Sequence, residues 1–449
     1  MKTQTTLDMT TGPIFRKLFI YAYPLMLRSI INTMYSTVDK VVAGKCISTA
    51  AMAAIGATTI PINLIVNLVS GLSLGVSVCC GNYFGAKKEK EFRECVHTAV
   101  VLGFLGGVTI ALTGVLISEP LLIIMKTPES IMRDAKVYMY IRILSYPLAL
   151  LNTFCCSVMN AQGDTKTPTW VSLMSGAVNV VFNFLFVLGF KMDIAGLAWA
   201  TMLSHAADTV ALIWILFGPK GRYRMRFQEL RIHKEHFKKI AAVGLPSGLN
   251  TTIATLSQML LQSSFNSFGE VIVAGKTAAS TCSNYVTIMM SGFSSACVCA
   301  TAQCFGARNF ERIKLVVKQS IMGGVVLMTV TAALLTVFVR PLMGEFTNEA
   351  AVIEAGIPIV LVNVWGELLL VFGNMYGAAL RGMRKSTASM VANLVGICLP
   401  RVLWVLLVMP FFPDPMVLYS IFPISWAIDS VLLAVLYRRY YKKISLQPD

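Results

Sequence analysis

The sequence predicts an all-α integral membrane protein with twelve transmembrane helices, arranged as two six-helix lobes related by pseudo-two-fold symmetry about the membrane normal. Three observations predict this fold. The 449 residues are 56% hydrophobic and only 13% charged, whereas soluble domains carry about 25% charged residues. Runs of about 20 apolar residues, enough to cross a bilayer core of about 30 Å, recur along the chain. The second half of the sequence also repeats landmarks of the first.

Apolar windows of about 20 residues delimit twelve candidate spans. Their ranges are 15–39, 53–80, 94–117, 137–160, 168–190, 194–217, 240–266, 273–300, 315–338, 356–379, 387–409 and 415–437. Lys and Arg cluster in the connections after even-numbered spans, as in residues 87–93 and 381–385. The positive-inside rule therefore predicts that both termini are cytoplasmic.

An internal duplication divides the chain. Pro24 corresponds to Pro246, an offset of 222, and Gly85 corresponds to Gly306, an offset of 221. The longest hydrophilic stretch, residues 218–239, separates the two copies. We therefore predict an N-lobe over residues 1–221 and a C-lobe over residues 222–449, the latter preceded by a basic cytoplasmic linker. Six spans per copy place the symmetry axis along the membrane normal, with a shared site expected where the lobes meet.

Asp39 is an acid inside the first apolar span. A carboxylate carried to the centre of a bilayer costs about 2.5–3.5 kcal/mol on insertion scales, so it is a functional-site hypothesis by default. Asn32, Tyr35 and Asp39 follow steps of three and four residues and share one helix face. A solvated cavity or an ion site explains this stripe better than helix packing alone.

Polar residues recur at helical spacing in other spans. The stripes include Asn179 and Asn183 in the fifth span, Thr201, His205 and Asp208 in the sixth, Gln258 and Gln262 in the seventh, and Asn284 in the eighth. Such groups bind neighbouring helices or line water-filled cavities, since lipid cannot satisfy them. Asn32, Tyr35, Gln258, Gln262 and Asn284 are our candidates for the polar walls of a substrate cavity.

Four further charged or titratable side chains lie within the predicted spans. His205 and Asp208 lie one helical turn apart, so they either satisfy each other or form a proton relay. Glu367, in the tenth span, is a candidate second titrating acid. Arg401, in the eleventh, has either a counter-ion or anion-contacting role or a purely structural one.

Missing motifs restrict the function further. The net charge of +16 comes from basic residues clustered in short loops, which argues against a nucleic-acid partner. The sequence contains no Gly-x-x-x-x-Gly-Lys-Ser/Thr phosphate loop, no histidine pair spaced for zinc and no cluster of acids typical of a membrane-embedded lipid enzyme. We therefore expect neither an enzyme nor a cofactor, and the energy source to be an ion gradient. A channel fits poorly with two lobes and no pore helix.

The chain resembles the multidrug and toxic compound extrusion (MATE) transporters over essentially its whole length. The matching segments are Gly12-Pro13-Ile14, Pro24, Val38-Asp39, Gly44, Ala53-Ala54-Ile55-Gly56, Gly71 to Gly75, Gly85-Ala86-Lys87, Gln162 to Lys166, Gly196 and Ala200-Thr201. It is more similar to the bacterial branch named for DNA-damage-inducible protein F than to the NorM branch, because Ala254 stands where the NorM type is expected to carry an acid.

The resemblance implies a cation-coupling site in the N-lobe. Its residues map onto Asp39, Asn179, Asn183 and Thr201, where the branch typically has an Asp at the position of Asn183. With a single carboxylate the site is formally neutral once Na⁺ binds, although its oxygen donors suit a hard cation. Coupling to H⁺ through Asp39 alone and coupling to Na⁺ at these four residues therefore both stay open.

The function that these observations favour is a secondary active antiporter of the bacterial plasma membrane. It would export an organic, cationic and amphiphilic drug or toxin in exchange for H⁺ or Na⁺, and we expect a monomer whose partners are this small molecule and the lipid bilayer. The alternative is a flippase or exporter of a lipid-linked saccharide or other lipid of the same superfamily. Basic residues in the cavity would favour that alternative, and Arg28, Lys40 and Arg401 are the candidates.

Overall fold

The computed structural model describes residues 6–125, 127–218, 225, 227–345 and 349–445. In these ranges the secondary structure consists of helices joined by short connections. The fourteen α-helices are α1 (Ile14–Val42), α2 (Thr49–Gly85), α3 (Glu89–Ile124), α4 (Glu129–Leu144), α5 (Tyr146–Ala161), α6 (Lys166–Phe184), α7 (Asp193–Phe217), α8 (Lys234–Asn266), α9 (Glu270–Gly306), α10 (Phe310–Gly344), α11 (Ala350–Gly382), α12 (Ser386–Asn393), α13 (Leu399–Leu403) and α14 (Pro415–Ser445). The all-α prediction is confirmed.

These helices form twelve continuous segments that follow the twelve predicted spans in order. The helices α4 and α5 make one bent segment, with an angle of 45° at Ser145. The helices α12 and α13 join through the π-helical turns Leu394–Cys398 and Trp404–Val408. Among the described helices, nine are long and apolar enough to cross a membrane, or ten with the bent pair counted as one. The two other long helices, α1 and α8, are less apolar because they carry polar stripes.

Two π-helical turns follow the polar stripes of the first half. The α1 helix continues into Ala43–Ile47, four residues after Asp39, and α6 continues into Leu185–Gly189, two residues after Asn183. The two turns contact each other. π-Turns insert an extra residue into a helix and often mark functional positions. The contact between these two turns, next to Asp39 and Asn183, therefore makes this part of the first half a candidate site.

The chain folds into two compact units. Residues before Asp8 and Leu27–Gly244 form the first unit, and Asp8–Met26 with the residues from Leu245 onward form the second. One boundary lies between Leu7 and Asp8, before α1. The other two lie inside α1 and α8, next to Pro24 and Pro246, which correspond in the two halves of the sequence. The lobe boundary predicted between residues 221 and 222 lies outside the described residues.

Each unit has its own apolar core. In the first unit, Phe154, Met139 and Leu150 are buried where α3, α4 and α5 pack together. In the second, Phe265 packs on Tyr419, with 4.4 Å between their ring centroids. Burial of such side chains contributes about 1.5–3 kcal/mol each in water, but within a bilayer close packing and interhelical hydrogen bonds hold the helices together.

Candidate functional site

The first unit contains a polar cavity of about 730 Å³. Its walls come from α1, α2, α4, α5, α6 and α7, and its charged or titratable residues are Arg28, Asp39, Lys40, Arg142, His205 and Asp208. Asn32, Tyr35, Asn179 and Thr201 also line it. This volume falls within the roughly 300–1,000 Å³ of small-molecule sites, so the cavity can hold a drug-sized compound.

The four residues predicted to form the cation site lie together. Asn183 Nδ2 donates hydrogen bonds to Asp39 Oδ1 at 2.5 Å and to Asn179 Oδ1 at 3.2 Å. Asn179 Nδ2 in turn donates to Thr201 Oγ1 at 3.5 Å, and Thr201 donates to the carbonyl of Leu197. A connected polar network thus joins α1, α6 and α7.

Local packing explains why α1 and α6 bring these groups together. Asn179 and Asn183 are four residues apart and therefore share a face of α6. Gly176, one turn earlier on this face, has no side chain, and an added Cβ would overlap the ring of Tyr35. The Tyr35 hydroxyl donates to the carbonyl of Leu173 at 3.2 Å. The aromatic ring of α1 therefore packs directly against the backbone of α6, one turn from Asp39.

Burial distinguishes the members of this network. Asn183 is completely buried, and its Oδ1 has no hydrogen-bond partner among the described residues. Asp39 is only half-buried and lines the cavity. The donor set consists of carboxylate, amide and hydroxyl oxygens, which suit a hard cation such as Na⁺. Asp39 is the one member of the network with an acidic side chain that can bind a proton, so the same residues fit either coupling ion.

His205 and Asp208 both line the cavity, but they do not satisfy each other. No hydrogen bond or ion pair joins them within the part of the chain that the structure describes. Asp208 is buried, its Oδ1 lacks a hydrogen-bond partner there, and Arg28 is its charged neighbour. Arg28 also lies beside Cys156. Asp208 is therefore a buried acid with the basic Arg28 as its neighbour in the cavity wall. A proton-relay role for His205 stays a prediction.

Arg142 is a cavity residue that the sequence reasoning missed. It lies near the end of α4, and Asp39, Tyr138, Tyr146 and His205 are its electrostatic neighbours. Its Nε and Nη1 are buried, and no described acceptor bonds them. The available signal was an Arg inside the fourth predicted span, four residues from each of two tyrosines.

The remaining predicted residues lie in the second unit. Gln258 and Asn284 have exposed side chains. Gln262 donates to Asn266 Oδ1 at 2.8 Å and accepts from Lys276. Lys276 is a second intramembrane cation that the sequence reasoning missed, and its Nζ lies 4.4 Å from the ring centroid of Phe265. The predicted cavity role of Gln258, Gln262 and Asn284 stays a prediction.

Glu367 and Arg401 are both buried in the second unit. Glu367 Oε1 accepts a hydrogen bond of 3.4 Å from Thr287. Arg401 Nε donates to Ser425 Oγ at 3.3 Å, and its guanidinium carbon lies 4.7 Å from the ring centroid of Phe422. Asp429 is a charged neighbour of Arg401, so the counter-ion or anion-contacting role of Arg401 and its purely structural role both stay predictions. The titrating role of Glu367 stays a prediction.

The described side chains contain no group of three or more His, Cys, Asp and Glu residues that could hold a metal ion. The fold and the cavity together define a class of protein: a helical membrane protein made of two homologous units, one of which has a polar cavity lined by an intramembrane acid. Comparisons with known proteins identify the family.

The MatE family model matches residues 24–185 and again residues 246–406. The chain therefore belongs to the MATE family of membrane transporters. Because one model matches both halves, the duplication inferred from the sequence is confirmed.

Individual relatives agree with this assignment. The chain is similar to the probable multidrug resistance protein YoeA of Bacillus subtilis, with 25% identity over 80% of this chain and 79% of that protein. It is also similar to an FAD transporter of Shewanella oneidensis, with 24% identity over 87% of each chain. A solved structure described as the outward-facing conformation of a multidrug resistance MATE family transporter superposes with a TM-score of 0.92 and 19% identity, covering 100% of both chains. The two-lobed, twelve-helix fold is confirmed.

Proposed function

We propose that this protein is a secondary active antiporter that exports organic drugs or toxins in exchange for H⁺ or Na⁺. The observation that carries the proposal is the hydrogen-bonded network of Asp39, Asn183, Asn179 and Thr201, which opens onto a drug-sized cavity through Asp39. The similarity to the probable multidrug resistance protein YoeA supports the class of cargo.

In the proposed mechanism, Asp39 binds the coupling ion, and Asn179, Asn183 and Thr201 supply the further oxygens if that ion is Na⁺. Neutralising Asp39 changes its interaction with Asn183 and with the basic neighbours Arg142 and Lys40. Ion binding can shift the equilibrium between outward-open and inward-open states only by its differential affinity for the two. Residues on both sides of the Asp39–Asn183 contact would therefore respond to the ion.

The proposal includes several properties expected from the sequence. The protein would work as a monomer in the bacterial plasma membrane, with both termini in the cytoplasm and no cofactor. A cationic amphiphile is the cargo that the family resemblance implies. A cation would be attracted to Asp39 and Asp208, and it would leave when the coupling ion neutralises Asp39.

A second candidate is an exporter or flippase of an anionic compound, such as a lipid-linked saccharide. The observation that favours it is the position of Arg142, which joins Arg28 and Lys40 in the cavity wall. The FAD transporter among the relatives carries a diphosphate compound and supports this direction.

The decisive experiment is transport into everted membrane vesicles, with a proton gradient and a sodium gradient imposed separately. Ethidium and norfloxacin are suitable fluorescent cargoes. We expect one of the two gradients to drive accumulation that collapses when the gradient is dissipated. If neither gradient drives accumulation of either compound above vesicles without the protein, the antiporter proposal is wrong.

A further inference from the structure

The charge of the first unit's cavity differs from what a purely cationic cargo requires. Three basic residues, Arg28, Lys40 and Arg142, line it together with two acids, Asp39 and Asp208. With histidine neutral, this wall carries +3 and −2, a net charge of +1. When the coupling ion neutralises Asp39, three basic side chains face one acid.

The charges of Arg28 and Arg142 are not neutralised by direct ion pairs with described residues. Among the described residues, neither Arg28 nor Arg142 forms an ion pair with a carboxylate within 4.0 Å. Arg142 Nε and Nη1 are buried and have no hydrogen-bond partner there. A guanidinium placed in a low-dielectric interior without an acceptor is costly, so its donors are available to a ligand that supplies one.

The chemistry of the walls specifies the kind of ligand. A guanidinium presents a planar fork of N–H donors that matches the two oxygens of a carboxylate or a phosphate. Tyr35, Tyr138 and Tyr146 also line the cavity, and aromatic side chains pack well against flat aromatic compounds. Asp39 and Arg28 are eleven residues apart on α1, a separation of about 16 Å along a helix. The cavity is therefore long enough for one end of a cargo to lie near Asp39 and the other near Arg28.

We propose that the cavity of the first unit binds an aromatic organic compound through an oxyanion, either a carboxylate or a phosphate, held by Arg142. This proposal rests on the transport function proposed above and narrows its cargo to compounds that carry such a group. A cationic group elsewhere on the same compound is compatible with it, because Asp39 and Asp208 lie in the same wall.

The test is equilibrium binding to the full-length protein in lipid nanodiscs, measured by ligand fluorescence. Two matched pairs isolate the oxyanion: norfloxacin against its methyl ester, and riboflavin 5′-phosphate against riboflavin. We expect the anionic member of at least one pair to bind about tenfold or more tightly, as hydrogen bonds to charged groups typically contribute. The pair that responds distinguishes carboxylate from phosphate recognition.

Arg142→Gln should reduce the preference for the anionic member, whereas Arg133→Gln should retain it. Arg133 is a matched control because it is an exposed Arg on the same helix as Arg142 and does not line the cavity. Thermal unfolding establishes that each variant is folded, and Arg142→Lys tests the position if Arg142→Gln is not.

Equal affinity within both pairs would overturn the proposal, and so would a preference that survives Arg142→Gln in a folded variant. Binding is measured without a gradient, so its outcome is separate from that of the vesicle transport experiment. Oxyanion-dependent binding without ion-driven transport would contradict the antiporter proposal alone.

Discussion

Asn183 Nδ2 donates a hydrogen bond to Asp39 Oδ1 across 2.5 Å, joining two helices that are 144 residues apart in the sequence. The contact places the carboxylate of α1 against a completely buried amide of α6. Since a hydrogen bond to a charged group contributes about 1.5–3 kcal/mol, a change in the charge of Asp39 alters the strength of the link between α1 and α6. This link is the basis of the first two predictions.

Asp39→Asn should leave the protein folded and inserted but abolish gradient-driven efflux. The substitution keeps the size and polarity of the side chain but removes the group that binds a proton and the charge that attracts Na⁺. Norfloxacin efflux in a pump-deficient bacterial strain measures the loss. Asp134→Asn is the control, because Asp134 lies on α4 and is not among the residues that line the cavity. Wild-type efflux by Asp39→Asn would refute the coupling role.

Asn183→Asp should make the protein depend on Na⁺ for stability. A second carboxylate beside Asp39 adds like-charge repulsion in a buried position, and a bound Na⁺ would neutralise part of it. The melting temperature of the variant should therefore rise when NaCl replaces KCl at equal ionic strength, since ligand binding to the folded state stabilises it. The wild type should show a smaller rise under the same exchange. An equal response of the two proteins would contradict this prediction.

Gly176→Ala should destabilise the first unit and reduce transport. The added methyl group would overlap the Tyr35 ring, and overpacking of this kind costs about 1–3 kcal/mol. The displaced ring would also separate α1 from α6 near Asp39. Thermal unfolding in detergent measures the effect. Adding Tyr35→Ala to Gly176→Ala should recover part of the lost stability because it removes the clash, and no recovery would show that the overlap is not the cause.

His236→Leu should lower the stability of the first unit through the contacts of His236 with α2 and α3. The buried His236 ring contacts the Tyr83 hydroxyl at 3.1 Å and Glu94 Oε2 at 3.2 Å, tying the start of α8 to α2 and α3. Loss of both bonds should cost about 1–3 kcal/mol, read as a lower melting temperature. His233→Leu should cost less, because His233 is more exposed and lies 3.8 Å from Glu94. A larger loss for His233→Leu would contradict this ranking.

The sequence by itself determined the fold class, and its resemblance to a known family named the four residues that form the hydrogen-bonded network at Asp39. The length of the apolar runs predicts helices, because the core of a bilayer offers backbone N–H and C=O groups no hydrogen-bond partners except those within the helix. Helical spacing placed Asn179 and Asn183 on one face, and the cost of an intramembrane carboxylate pointed to Asp39. These inferences concern single helices or family motifs, where local rules suffice.

The tertiary structure alone decided which faces meet. The packing of Tyr35 on Gly176 brings Asp39 to Asn183, and no spacing along the chain encodes this contact between distant helices. Arg142 lines the cavity because of the bend at Ser145 and the packing of α4, which its position in the sequence does not reveal. The same packing leaves His205 and Asp208 without a bond to each other, although they lie one turn apart. The charge of the cavity is the sum of side chains from six helices. It therefore depends on which side chains face inward, and the sequence of a single helix does not specify this.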